Sequence, residues 1–163
     1  MFSFINYIVF AASLEQELYD ICAKNYDYEE AVTNNLTQEQ FQTKVTLTVK
    51  NLLSQGADPN WSSKKNNGYT ALLWACHNGH VDAARALLAY SANIEACLNN
   101  EGWTTIHLAC CRKKGDIIKL LIEHNVDIDK RDKKGNLPID LLKDQNYIAQ
   151  FHGDIVKLFN VTK

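Results

Sequence analysis

The stretch Gly68–Glu95, which reads GYTALLWACHNGHVDAARALLAYSANIE, decides the fold of this chain. It predicts two short helices that are separated at Gly79, because a glycine with left-handed backbone geometry commonly ends a helix. Thr70 is placed to cap the first helix, since its hydroxyl can accept a hydrogen bond from a free backbone N–H. One such helix pair cannot bury its own apolar face, so neighbouring copies are expected.

Copies of this pattern recur in register along the chain. Gly102–Cys110 repeats the first helix, with Gly102 in the place of Gly68, and Ile117–Asp129 repeats the second helix. Gly135–Leu142 begins a further copy, and Val49–Asn60 matches the closing half of an earlier copy. A nearly constant period of about 33 residues predicts a solenoid in which each unit contacts only its neighbours.

The repeated unit resembles the ankyrin repeat, whose pattern is T-P-L-H-x-A-A after a glycine, G-H at the turn and L-L-x-x-G-A-D-x-N at the end. The T-P-L-H-x-A signature is met as TALLWA at 70–75, TTIHLA at 104–109 and LPIDLL at 137–142. The resemblance covers about residues 45–160. It implies an all-α ankyrin-repeat solenoid of stacked helix-turn-helix units with finger loops.

The whole chain of 163 residues is expected to form a single ankyrin-repeat domain. Residues 1–60 would hold an N-terminal segment and a degenerate first repeat with an insertion. Repeats would follow at 61–95 and 96–129, and a C-terminal capping repeat at 130–163. No substantial sheet is expected. The finger loops are predicted at about Trp61–Tyr69, Ala96–Trp103 and Lys130–Asn136.

The N-terminal part departs most from the repeat pattern. Met1–Ala12 is apolar, but no Lys or Arg precedes it, so a cap over the first repeat is favoured over a signal peptide. Ser13 is expected to begin a helix through a capping box. Tyr26–Lys44 exceeds the length that the family allows and is interpreted as an insertion. Helical pieces are expected there around Tyr28–Leu36 and from Gln38 onward.

Charge and cysteine content add two expectations. Residues 1–60 carry 8 acidic and 3 basic side chains, a net charge of −5, whereas residues 61–163 carry 11 and 14, a net charge of +3. Five cysteines without a framework spacing indicate a reduced, cytoplasmic compartment, or a host cytosol if the protein is effector-like. Cys76 and Cys110 share one repeat position and are expected as small core residues without a disulfide.

Candidate catalytic and metal-binding residues have structural explanations. His80 and His107 occupy positions where the family's histidines bind backbone near the turns, and with Cys76 and His77 they belong to different helical faces. Convergent metal coordination is therefore not expected. Cys111 lies one helical turn after His107, but no oxyanion hole or orienting acid accompanies the pair. We expect no enzyme activity and no cofactor.

The resemblance implies a non-catalytic protein–protein interaction module. It would bind or sequester a protein partner on its concave, finger-bearing face, as a monomer and away from membranes. One alternative is nucleic-acid binding through the basic clusters Arg112–Lys114 and Lys130–Lys134, although phosphate contacts usually need more basic residues; steep salt dependence would reveal it. The other is an enzyme site that the insertion 26–44 builds against the first repeat.

The predicted partner-binding residues are those that the family pattern places at the finger tips and on the inner face of the first helices. Tyr69 and Trp103 share the position before the capping threonine, where the repeat itself requires no aromatic residue. Tyr and Trp are frequent interface hot spots; the alternative is that each packs on the neighbouring finger. The full set is Asn66, Asn67, Tyr69, His77, Asn78, Asn100, Glu101, Trp103, Cys111, Arg112, Lys133, Lys134, Asn136 and Asp144.

Overall fold

The computed structural model describes residues 14–24, 36–63 and 65–142, and helices make up its regular structure. In the described ranges no strand occurs, and two isolated antiparallel bridges, Ser62 to Thr70 and Cys97 to Thr104, close finger loops. The helices are α1 (14–23), α2 (Gln38–Ser54), α3 (Ala71–Asn78), α4 (Val81–Ala89), α5 (Thr105–Cys111), α6 (Gly115–Glu123) and a 3-10 helix (Pro138–Leu141).

These helices lie in two rows. α3, α5 and the 3-10 helix pack side by side in one row, and α2, α4 and α6 form the other. α3 also packs against α4, and α5 against α6, so each pair is an antiparallel unit joined by a tight turn. α1 extends the first row, because the ring of Tyr19 meets the edge of Trp74 with centroids 6.2 Å apart. The predicted helical solenoid is confirmed.

One apolar core runs through all the units. It extends from Leu18 in α1 to Leu142 after the 3-10 helix. The cysteines at Cys22, Cys76 and Cys110 are completely buried within it, which confirms the prediction that Cys76 and Cys110 are small core residues. Burial raises the pKa of the Cys22 thiol to about 12 and also raises the pKa values of the other two. These thiols are therefore held in their unreactive protonated form.

The predicted ends of the first helix are confirmed. Thr70 Oγ1 accepts a hydrogen bond from the Leu73 N–H at 3.3 Å. At the other end Gly79 has a φ of 83°, and its N–H donates to the Ala75 carbonyl at 2.9 Å. The exits of the second helices use the same left-handed geometry at Gly56, Ser91 and Asn125, with φ values of 94°, 64° and 58°.

The helical piece predicted from Gln38 onward is confirmed. It continues without a break for 17 residues as α2. Thr37 begins it with a capping box, in which the Gln40 N–H donates to Thr37 Oγ1 at 3.2 Å and Thr37 N–H donates to Gln40 Oε1 at 2.8 Å. Residues 38–44, which we assigned to the insertion, form the first turns of this helix, which is longer than the nine-residue helices α4 and α6.

Several predictions lie outside the described residues, and the boundaries of the repeats stay a prediction. The segments concerned are Met1–Ala12, the helix start at Ser13, the piece around Tyr28–Leu36 except Leu36 itself, and the end of the capping repeat at 143–163, which includes Asp144.

Lys113 provides a test of the turn between the paired helices. It occupies the position of Gly79 in the next unit and has a φ of 56°, which a residue with a Cβ adopts only at a cost. We expect Lys113→Gly to raise the free energy of unfolding by about 0.5 to 1 kcal/mol in urea denaturation. Lys113→Ala keeps the Cβ and is the matched control, for which we expect no gain. Equal stabilities of the two variants would contradict the explanation.

Candidate functional site

Successive finger loops are joined by a ladder of hydrogen bonds. The amide of Asn67 bridges to the next finger: its Nδ2 donates to Glu101 Oε2 at 2.8 Å, and its Oδ1 accepts from the Asn100 N–H at 2.7 Å. The Asn67 carbonyl accepts from the Asn99 N–H at 2.9 Å. One unit later, the Lys133 N–H donates to the Glu101 carbonyl at 2.9 Å. The ladder brings Asn67, Asn100, Glu101 and Lys133 of the predicted set together.

The third finger is organised around a carboxylate. Asp132 is 6% exposed and accepts hydrogen bonds from Trp103 Nε1 at 3.0 Å, from the Lys134 N–H at 2.8 Å, and from Asn136 through its N–H at 2.8 Å and its Nδ2 at 2.9 Å. Burial alone would raise the pKa of Asp132, but these donors outweigh it and lower the pKa to about 2. Trp103 is thereby tied to the next finger.

The two aromatic residues that we expected as anchors also pack within the protein. Tyr69 stacks on Trp74 with ring centroids 4.2 Å apart and an interplanar angle of 22°. Tyr69 and Trp103 are both half-buried against a small cluster that includes Leu73 and Leu108. Each side chain is therefore partly buried by internal packing and partly exposed.

Asn78 occupies a different place from the one we expected. It is 8% exposed, and its Nδ2 donates to the carbonyls of Cys22 and Ala23, each at 3.0 Å, and of Lys24 at 3.3 Å. Its amide nitrogen thus caps the C-terminus of α1, so these hydrogen bonds serve the fold and are not available to a partner. His77 beside it is half-buried, with its Nδ1 2.8 Å from Asn78 Oδ1.

The other two candidate histidines bind backbone, as the family positions predict. His80 Nε2 is 2.7 Å from the Lys24 carbonyl, and His107 Nε2 is 3.3 Å from the Asn136 carbonyl. Burial lowers the pKa of both imidazoles. Across the residues that the structure describes, no group of three or more His, Cys, Asp or Glu side chains converges as metal ligands would.

A second group of predicted residues meets on the first-helix row. We call Tyr69, His77, Cys111 and Arg112 the inner surface. The rings of Tyr69 and His77 are in edge contact with centroids 6.3 Å apart. Cys111 is half-buried, and Arg112 is exposed at the C-terminal end of α5. The charge of Arg112 acts on both rings, opposing the rise that burial causes in the pKa of Tyr69 and adding to the fall that burial causes in the pKa of His77.

Sequence reasoning missed residues that hold this region together. Tyr19 of α1 is in edge contact with Trp61, with centroids 5.6 Å apart, and its hydroxyl accepts from Asn66 Nδ2 at 2.7 Å. No local pattern identifies that contact, because it joins residues far apart in the chain. Asn99 was also missed, although the sequence contained a signal for it, because the pair Asn66-Asn67 recurs in the next finger as Asn99-Asn100.

The family model for ankyrin repeats, in three copies, matches residues 41–132, which is more than half of the chain. The chain belongs to the ankyrin-repeat family. Ankyrin repeats are generally non-catalytic modules for protein–protein interaction. No helix among the described residues combines the length and apolar character needed to cross a bilayer.

The chain is similar to several curated proteins. It is 33% identical to the human protein phosphatase 1 regulatory subunit 27 over 96 residues, which are 59% of this chain and 58% of that protein, and the mouse protein matches equally. It is 33% identical to the mouse 2-5A-dependent ribonuclease over 86 residues, which are 52% of this chain and 12% of that enzyme. The match therefore spans less than two thirds of each of these relatives.

Asp132 allows a test of the finger network. We expect Asp132→Asn to lower the free energy of unfolding at neutral pH by about 2 kcal/mol, since it weakens several hydrogen bonds to a charged acceptor. Because the pKa of Asp132 is lowered in the folded state, its contribution is present above the unfolded value of 3.8 and is lost as the pH falls toward about 2. Urea denaturation across this range measures the difference.

The control for this prediction is Asp129→Asn, which changes an exposed aspartate shortly before Asp132 in the same finger. It should alter stability by less than about 0.5 kcal/mol. A gap between wild type and Asp132→Asn that stays constant from neutral to acidic pH would contradict the proposed role of the carboxylate.

Proposed function

We propose that this chain is a non-catalytic module that binds or sequesters a protein partner on its finger tips and inner surface. The observation that carries the proposal is the ladder from Asn67 through Glu101 to Lys133, which keeps side chains of successive fingers in fixed register. A surface that is ordered before binding loses little conformational entropy when a partner docks. An extended array of this kind is the usual binding surface of repeat proteins.

Tyr69 and Trp103 are the proposed anchors. Both are partly exposed and are held by internal contacts, Tyr69 by stacking on Trp74 and Trp103 by its hydrogen bond to Asp132, so a partner can bury the exposed part without first ordering the side chain. Fixed aromatic groups of this kind supply much of the affinity of protein interfaces. Arg112, Lys133 and Lys134 are exposed around them and are proposed to govern the association rate.

The remaining predicted residues divide according to their contacts. We leave Asn78 out of the proposed surface, because its amide is committed to the end of α1. Asn66 and Asn136 are kept, although each also makes an internal hydrogen bond. Asp144 stays a prediction from the family pattern.

Nucleic-acid binding has less support than protein binding. The basic cluster Lys130–Lys134 contains Asp132, and Lys133 Nζ donates to the Asn99 carbonyl within the ladder. Fewer cations are therefore available for phosphate contacts, which dominate nucleic-acid affinity. The alternative enzyme site was expected in the insertion 26–44. Of these residues, 38–44 belong to α2, and 26–35 lie outside the described part of the chain.

A cytoplasmic setting and a monomeric state belong to the same proposal. Supporting the first, Cys22, Cys76 and Cys110 are free thiols packed in the core. Reduced cysteines used as small apolar residues are typical of reducing compartments.

Protein phosphatase 1 is the first candidate partner. The human and mouse relatives carry its name as regulatory subunits, and the match to each extends over 96 residues of this chain. We expect purified phosphatase catalytic subunit to bind the chain, and Trp103→Ala to weaken that binding. If Trp103→Ala leaves the binding of the phosphatase unchanged, the phosphatase does not bind at the proposed surface.

The central test is the loss of one anchor. We expect Trp103→Ala to weaken partner binding by about 30-fold or more, since the loss of an interface hot spot is worth about 2 kcal/mol or more. The partner is first captured with the intact chain, and affinities are then measured by calorimetry. Tyr90→Ala is the matched control, because Tyr90 is an aromatic residue exposed at the end of α4.

A second variant separates binding from folding. Trp103→Phe keeps an aromatic ring but loses the hydrogen bond to Asp132, so it should lower stability more than affinity. Replacing Lys134 by Glu should slow association without a large change in melting temperature. Lys133 is left in place, because its Nζ donates to the Asn99 carbonyl in the ladder. Wild-type affinity in a folded Trp103→Ala variant would contradict the proposed interface.

A further inference from the structure

The tautomer of His77 follows from its neighbours. Both hydrogens of the Asn78 amide are committed to carbonyls at the end of α1, so the Asn78 oxygen faces His77. An amide oxygen only accepts, and His77 Nδ1 must therefore donate across the 2.8 Å between them. In the neutral ring Nε2 then carries a lone pair, and protonation turns it into a second donor.

Arg112 places a permanent positive charge beside this ring. It belongs to the next unit, and its backbone is fixed as the C-cap of α5, with its N–H donating to the Leu108 carbonyl at 2.9 Å. Its side chain is exposed, and its charge acts on both His77 and Tyr69. A guanidinium that never loses its charge is thus available next to an imidazole that can gain one.

The carboxylates nearest to this surface are already engaged. Glu101 Oε2 accepts from Asn67, and both oxygens of Asp132 accept from Trp103, Asn136 and the Lys134 backbone. The cations Arg112 and Lys134 are exposed in the same region. Glu101 and Asp132 keep their negative charges, because their hydrogen-bond donors are neutral, but the exposed cations Arg112, Lys133 and Lys134 outnumber them by one. An acidic ligand would therefore meet a small excess of positive charge beside the partly exposed rings of Tyr69 and His77.

We propose that the inner surface is a carboxylate-binding subsite, which selects an acidic peptide segment and protonates His77 on binding. The proposal rests on the proposed function, since it assigns a chemistry to the partner at that same surface. A peptide Asp or Glu would pair with the Arg112 guanidinium and accept from His77 Nε2–H, while an apolar neighbour packs on Tyr69. A phosphopeptide fits less well, because phosphate recognition typically uses clusters of arginine.

The pH dependence follows from the groups that face His77. These are Tyr69 from the same unit and Arg112 and Lys114 from the next unit. Near His77, α1 ends at Lys24, whose carbonyl accepts a hydrogen bond from Asn78. In the free chain, burial lowers the pKa of His77; the hydrogen bond to Asn78 opposes this, and the two cations lower the pKa further. A bound carboxylate raises that pKa, so binding takes up a proton and strengthens as the pH falls.

The experiment begins with a random dodecapeptide library displayed on phage and selected against the intact chain. We expect the selected peptides to be rich in Asp and Glu next to an aromatic or aliphatic residue. A consensus peptide is then synthesised with a fluorescent label, together with a copy in which Gln and Asn replace the acidic residues. The acidic peptide should bind about tenfold or more tightly than its neutral copy.

Two pairs of variants locate the subsite. Arg112→Gln should weaken binding of the acidic peptide about tenfold, whereas Arg85→Gln, which changes an exposed arginine on α4, should not. Affinity for the wild-type chain should rise severalfold between about pH 7.5 and about pH 5.5, above the range where peptide carboxylates protonate. His77→Gln should abolish this rise, and His124→Gln, at the exposed end of α6, should preserve it.

Each outcome separates this inference from the proposed function. Neutral or basic selected peptides that lose affinity with Trp103→Ala would overturn the carboxylate subsite and leave the interface standing. Acidic peptides that are indifferent to Arg112→Gln, or a phosphorylated copy that binds more tightly than the acidic one, would also overturn it. Peptides whose binding Trp103→Ala and Arg112→Gln both leave unchanged would overturn the subsite and the proposed interface together.

Discussion

The packing of each helix pair against the next pair is the constraint on which the rest of the structure depends. A single pair leaves one apolar face uncovered, and the neighbouring unit supplies the cover. Ala75 and Cys76 in one unit, and Ala109 and Cys110 in the next, are fully buried, and their small side chains let the helices approach closely. The core therefore continues from unit to unit, and the finger loops that project from it inherit the same spacing.

The finger loops combine two roles in the same side chains. Asn67 and Glu101 hold successive fingers together, and they also lie on the surface that we propose as the interface. Internal hydrogen bonds reduce what such residues can offer to a partner, but they fix the geometry that the partner meets. Arg112 and Lys134 are exposed and contribute charge to a surface whose shape is set by their neighbours.

Much of the fold could be predicted from local signals, whereas part of the site could not. The capping Thr70 and the left-handed Gly79 are encoded by residue type and position, and the period of the repeat specifies which helices become neighbours. The role of Asn78 depends on α1, whose Cys22 lies far away in the chain, and no periodicity reports such a contact. The helix that begins at Gln38 was expected, but its length of 17 residues was not, because the second helices α4 and α6 have nine residues each.

Docking of a protein partner on the finger tips and inner surface can be measured by hydrogen–deuterium exchange of the free and the partner-bound chain. We predict added protection in the fingers near 65–69, 99–103 and 133–136 and around Cys111 and Arg112, with unchanged exchange in α4 and α6. Protection confined to α4 and α6, on the opposite row of helices, would contradict it.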